Sequence, residues 1–199
     1  MLGMPHPARI SLDDILHVAR RLLEASGPDG LTMRAVAREL RVSAPSLYFH
    51  VESREDLLAQ LIDLGLKEFG PMMRTASAGP GTFRERVGAL AAAYLGFAQA
   101  NPQLFTLVFG PCDESSYPHH AGDEAAEPVV ALAAELVGPD RAMFLAEALW
   151  SLVHGYTVLR LANQFRLNPH HEVGFQLALD ALLAGAGEIG GVMASAAAP

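Results

Sequence analysis

Only three residues, Arg41, Val42 and Ser43, separate two stretches of helical periodicity near the start of this chain. Before them, Thr32 offers an N-cap, and Met33, Val36, Ala37 and Leu40 recur on one helical face. After them comes "SAPSLYFH", residues 43–50, where Ser43 is expected to cap a very short helix and Pro45 is tolerated in its first turn. A helix that short does not hold together alone. Its rings also spread around the axis, so they cannot all face one core. Three residues between two helices is helix-turn-helix spacing, in which the second helix enters the DNA major groove.

A helix is expected before this pair. "SLDD" supplies a capping box of Ser11 with Asp14, Ile15, Val18, Ala19, Leu22 and Leu23 keep a 3.6 period, and "SGPDG" ends the run. The three helices would share one small core, with Val42 and Leu47 turned inward. Ser53 with Asp56 opens a longer helix through Leu57, Leu61 and Leu66, which "FGP" at 69–71 is expected to bend or end. Residues 75–81, "TASAGPG", read as a linker. Thr82 and Glu85 then cap a helix to about Ala100, and a short one follows "NP" through Leu104 to Phe109. Residues 110–123 read as a polar loop, a helix covers Val129–Val137, and two long helices, about 140–165 and 170–194, precede a frayed tail.

Alanine and leucine dominate, and β-branched residues seldom alternate, so the expected class is all-α. With 51% apolar and 18% charged residues among 199, the chain can bury a core. A single cysteine, Cys112, leaves no intramolecular disulfide framework and fits a reducing cytoplasm. The opening residues show no signal-peptide pattern, and no apolar run approaches the roughly 20 residues of a membrane helix, so no membrane partner is expected. The net charge of −8 weighs against nucleic acid only until it is mapped. Residues 1–60 hold seven arginines against eight acidic residues; the rest hold seven basic and fourteen acidic groups. Between Met33 and His50 the sign reverses, with Arg34, Arg38 and Arg41 against Glu39.

"LTMRAVARELRVSAPSLYFHVESREDLL", residues 31–58, resembles the DNA-binding signature of the TetR family of bacterial transcriptional regulators. Two positions depart from it: Val51 stands where the family usually has phenylalanine, and Arg54 where it has lysine. The resemblance implies an N-terminal three-helix, homeodomain-like helix-turn-helix domain over residues 1–56, linked by a helix from about 54 to an effector-binding and dimerisation domain over 57–199. The expected DNA contacts are Thr32, Arg34, Arg41, Ser43, Ala44, Pro45, Ser46, Tyr48, Phe49, His50 and Arg54. Hydroxyls and first-turn N–H groups suit phosphate oxygens. Tyr48 has a flat apolar body for a thymine methyl or sugar and a hydroxyl for phosphate. Packing or capping is the plainer role for Phe49 and His50.

Further on, "ALWSLVHGY", residues 148–156, resembles the tryptophan–histidine–glycine signature of one group of TetR-type C-terminal domains, through Trp150, His154 and Gly155. Trp150 and His154 stand at i and i+4 on one helical face, an arrangement that suits an apolar pocket with one polar group. Tyr94, Phe97, Phe105, Phe109 and Met143 are candidates for its other walls, with plain core packing as the alternative. His119, His120, Cys112 and Asp113 lack regular ligand geometry, so neither a metal nor another cofactor is expected. No nucleophile is paired with a base, so no enzyme is expected. Ala162, Gly174, Ala178, Ala181 and Ala184, with Leu159, Phe175, Leu179, Leu182 and Leu183, suit a four-helix interface between two copies. The resulting expectation is a cytoplasmic, homodimeric regulator of bacterial origin, a repressor released from a near-palindromic operator on double-stranded DNA by a small-molecule effector. The rival is a helical protein that sequesters a small molecule and has no operator.

Overall fold

The computed structural model describes residues 10–110, 119–167 and 169–196. Cys112 and Asp113 lie outside them, as do the side chains of His119 and His120. Among the described residues all regular structure is helical, as the composition predicts: α1 (Leu12–Gly30), α2 (Met33–Leu40), α3 (Ala44–Leu47), α4 (Arg54–Ser77), α5 (Phe83–Ala100), α6 (Pro102–Phe109), α7 (His119–Val137), α8 (Pro139–Leu161) and α9 (His171–Ala196). The chain divides into two compact units. The first takes the residues up to Gly65 and those from Gln103 to Pro118; the second takes Leu66–Pro102 and everything from His119 onward.

In the first unit the caps expected at Ser11, Thr32 and Ser53 are in place. Asp14 N–H donates to Ser11 Oγ at 3.1 Å and Ser11 N–H to the Asp14 carboxylate at 2.9 Å. These bonds from Ser11 hold the Asp14 carboxyl below the usual carboxylate range. Gly27, at φ 68°, interrupts α1 where "SGPDG" predicts an end. Ile15, Val18, Ala19 and Leu23 face the core with Met33, Val36 and Ala37 of α2. Arg41 closes α2 in the left-handed region (φ 57°, ψ 39°), and its N–H and that of Val42 return to the carbonyls of Arg38 and Ala37. α6 belongs here from Gln103 on: Glu24 of α1 accepts the N–H groups of Gln103 (3.1 Å) and Leu104 (2.9 Å), satisfying donors that a helix start leaves open.

In the second unit α5, α7, α8, α9 and the later half of α4 bury Phe69, Leu90, Tyr94, Leu132, Leu149, Leu179 and their neighbours. α4 runs through Pro71 to Ser77, so "FGP" neither bends nor ends it and the expected linker begins only after Ser77. Gly70, next to that proline, faces α7, where a Cβ would stand 3.4 Å from Ala125 Cα. α7 starts at His119, ten residues before the expected Val129. α9 continues to Ala196, through most of the tail expected to fray. Arg86 chelates Glu135, and Arg84 meets Asp180 at 2.8 Å. By length and composition α8 could cross a membrane, yet it carries Asp140, Arg141, Glu147 and Arg160 and packs one face into this core.

Candidate functional site

α3 has four residues and is anchored by one of them: Leu47 is fully buried, with Val51 just beyond it. The larger side chains around that anchor point outward. Tyr48 is 53% exposed and Phe49 86%; Arg34, Arg41, Pro45 and His50 are exposed as well. Ala44 and Ser46 are half-buried. Ser43 stands at the N-cap without a side-chain capping bond; its hydroxyl meets that of Ser46 at 2.7 Å, so the expected cap is replaced by a hydroxyl pair. Thr32 caps α2, its Oγ1 accepting from Ala35 N–H at 3.1 Å. The candidate DNA contacts from Thr32 to His50 thus lie on a continuous helix–turn–helix segment.

Arg54 is placed differently. Its Nε donates to the Leu31 carbonyl at 2.9 Å and an Nη to that of Pro28 at 2.5 Å. The guanidinium ties the start of α4 to the end of α1, a role the sequence reading did not include. Spacing could not have shown it, because the accepting carbonyls are 23 and 26 residues away.

In the second unit, Tyr94 of α5 is buried with its hydroxyl 2.8 Å from His154 Nδ1. Trp150 Nε1 donates to the same hydroxyl at 3.4 Å, and the Trp150 and His154 rings are 5.7 Å apart. If the indole donates to Tyr94, then Tyr94 donates onward, which leaves the His154 proton on Nε2. Burial pushes the His154 imidazole below its ordinary range, so the neutral ring prevails at pH 7. Phe69, which the sequence reading left out, joins Phe97 to Tyr94 by edge-to-face contacts at 5.4 and 5.5 Å. Four of the seven expected pocket residues, Tyr94, Phe97, Trp150 and His154, therefore form one cluster. Met143 stands exposed on α8, while Phe105 and Phe109 pair with each other at 5.2 Å in the first unit.

Two family models match in succession: bacterial regulatory proteins of the tetR family over residues 15–61, and the tetracyclin repressor-like C-terminal domain over residues 87–182. The chain belongs to the TetR family. An uncharacterised HTH-type transcriptional regulator of Mycobacterium tuberculosis is 29% identical over 164 residues, 81% of this chain and 75% of that protein. A protein of unknown function from Rhodococcus sp. RHA1 superposes with a TM-score of 0.76 at 29% identity, over 92% of this chain and 98% of that one. A TetR variant from Acinetobacter baumannii AYE, solved in complex with minocycline, shares the fold at a TM-score of 0.66 and 23% identity, covering 91% and 98%. The helix-turn-helix segment lies in the first unit and the Tyr94–Trp150–His154 cluster in the second.

Proposed function

We propose that this TetR-family protein is a homodimeric repressor that leaves a near-palindromic operator when a small-molecule effector binds its second unit. What carries this reading is the exposure of Tyr48 and Phe49 directly after a helix whose Leu47 is fully buried. Burying a phenylalanine side chain is worth about 1.5–3 kcal/mol, so a chain selected only to fold would turn these rings inward. Left outside on the same helix–turn–helix segment as the exposed Arg34 and Arg41, they suit sugar and thymine methyl surfaces between phosphate contacts.

The dimer is supported by α8 and α9. On α8, Met143, Phe144, Val158 and Leu159 stand open, with Val173 and Leu177 on α9. Exposed Ala178, Ala181 and Ala184 permit close helix approach. Phe175, Leu179 and Leu183, expected at that interface, are instead buried within their own unit. One four-residue reading helix spans few base pairs, and a two-fold pair supplies a second one for a successive major groove.

Tyr94, Trp150 and His154 would meet the effector, in keeping with a tryptophan–histidine–glycine type of C-terminal domain, and the minocycline complex of the A. baumannii neighbour shows that this fold holds a small molecule. The effector releases DNA by binding a spread conformation better than the operator-bound one. No catalysis is assigned, and the site of action is the bacterial cytoplasm. Footprinting on the DNA flanking its own gene, with and without candidate ligands and at several salt concentrations, tests the reading. Saturable, selective protection with a steep negative salt slope is expected. Equal affinity for that DNA and for random duplex would favour sequestration instead.

A further inference from the structure

A cavity of about 360 Å³ lies in the second unit, lined by Gln99, Arg160, Leu161, Asn163, Phe165 and His171. Arg160 is about 9 Å along the α8 axis from His154, at 1.5 Å per residue, so this is a different place from the Tyr94–Trp150–His154 cluster. The donors here are oriented by a short relay. Arg160 Nη1 donates to Tyr156 Oη at 3.3 Å, and that hydroxyl lies 2.9 Å from His171 Nδ1. With its oxygen accepting from the guanidinium, the tyrosine proton goes to Nδ1, which leaves Nε2–H of His171 as a donor. Phe165 stacks on the His171 ring at 4.6 Å and 20° and fixes its plane. The Glu172 carboxylate lies 3.6 Å from His171 Nδ1, on the Tyr156 side of the ring; among the described residues no carboxylate lines the cavity.

We propose that this cavity is a binding site for a small organic oxyanion, a carboxylate or phosphate monoester with an apolar body. The guanidinium offers several N–H donors in a planar fork, of which Tyr156 takes one. The carboxamides of Gln99 and Asn163 and the imidazole N–H add neutral donors, while Leu161 and Phe165 supply the apolar wall. In a chain of net charge −8, a cavity with cationic and no anionic lining is selective for anions by composition as well as by geometry.

The site does not depend on the repressor reading. The test is calorimetric titration of the full chain with sodium benzoate, with phenyl phosphate, and with benzyl alcohol as the uncharged control. Saturable binding of at least one anion is expected, with none for the alcohol; the anion that binds more tightly identifies the head group. Arg160→Gln should weaken that anion at least about tenfold, as loss of a charge-assisted bidentate contact does. Asn163→Asp, which places a carboxylate at the rim, should weaken it as well and serves as the reading if Arg160→Gln does not fold. Arg74→Gln, which removes a cation of the same unit outside the cavity, should leave the affinity unchanged. No saturable binding of either anion, equal binding of the alcohol, or an affinity unmoved by the folded Arg160 or Asn163 variant would overturn the proposal.

Discussion

Thr157 shows how much one atom can matter. Its side chain is fully buried in α8, and its hydroxyl is without a hydrogen-bond partner among the described residues. An unsatisfied buried hydroxyl costs about 1–3 kcal/mol, so Thr157→Val, which keeps the shape, should raise the midpoint of urea unfolding by an amount equivalent to roughly 1 kcal/mol. Arg54 is the opposite case. Arg54→Met keeps the stem but removes the donors to Pro28 and Leu31, and should lower stability by about 1–3 kcal/mol; an unfolding midpoint equal to wild type would leave Arg54 a surface cation only. His154 brings a pH dependence. Unfolded, it takes up a proton near pH 6.5; folded, its burial delays that uptake to lower pH. Its contribution is therefore complete above about pH 6.5 and is lost as pH falls towards the folded value, because the unfolded state then binds the extra proton. The difference in Tm between wild type and His154→Gln should shrink from about pH 8 to about pH 5.

At the scale of elements, the turn between α2 and α3 combines two demands on Arg41. A non-glycine residue in the left-handed region costs about 1–2 kcal/mol, yet an arginine is there at φ 57°. Arg41→Gly should relieve that strain and raise Tm, while weakening operator affinity if the side chain meets phosphate; a gain in stability without loss of affinity would remove Arg41 from the DNA surface. On the exposed side of α8 and α9, Phe144→Asp with Leu177→Asp should give a folded monomer by sedimentation, since both side chains are 71% exposed in the single chain and neither supports its core. Helices were legible where their buried faces repeat, as in α1, α2 and α5. They were misread where polar residues and proline mask the period. The first five residues of α7, with two histidines, Gly122 and Asp123, read as loop, and Pro71 read as a bend or a stop; a proline inside a long helix removes one backbone bond, which packing against neighbours offsets.

For the molecule as a whole, the proposed regulator would draw its specificity from a short reading helix, a two-fold partner and an effector cluster together. Tyr48→Ala should weaken operator binding markedly and leave far-UV dichroism and the dimer intact; unchanged affinity in a mobility-shift titration would count against the exposed-ring reading. Trp150→Ala should keep DNA binding without ligand and blunt the effector response, whereas loss of folding would return Trp150 to a packing role.

The sequence alone determined the all-helical class, most helix starts and the helix-turn-helix, because caps, periodicity and turn spacing are decided within a few residues of each other. Only the tertiary structure decided that Arg54 closes on carbonyls of α1, that Phe69 joins the Tyr94–His154 cluster, and that Phe105 and Phe109 belong with the first unit. It also brought Gln99 to one cavity with Arg160 and His171. Arg54 and Leu31 are 23 residues apart, Phe69 and Tyr94 25, and Gln99 and His171 72, and groups that distant meet only when helix packing sets the faces opposite each other, which no local pattern encodes.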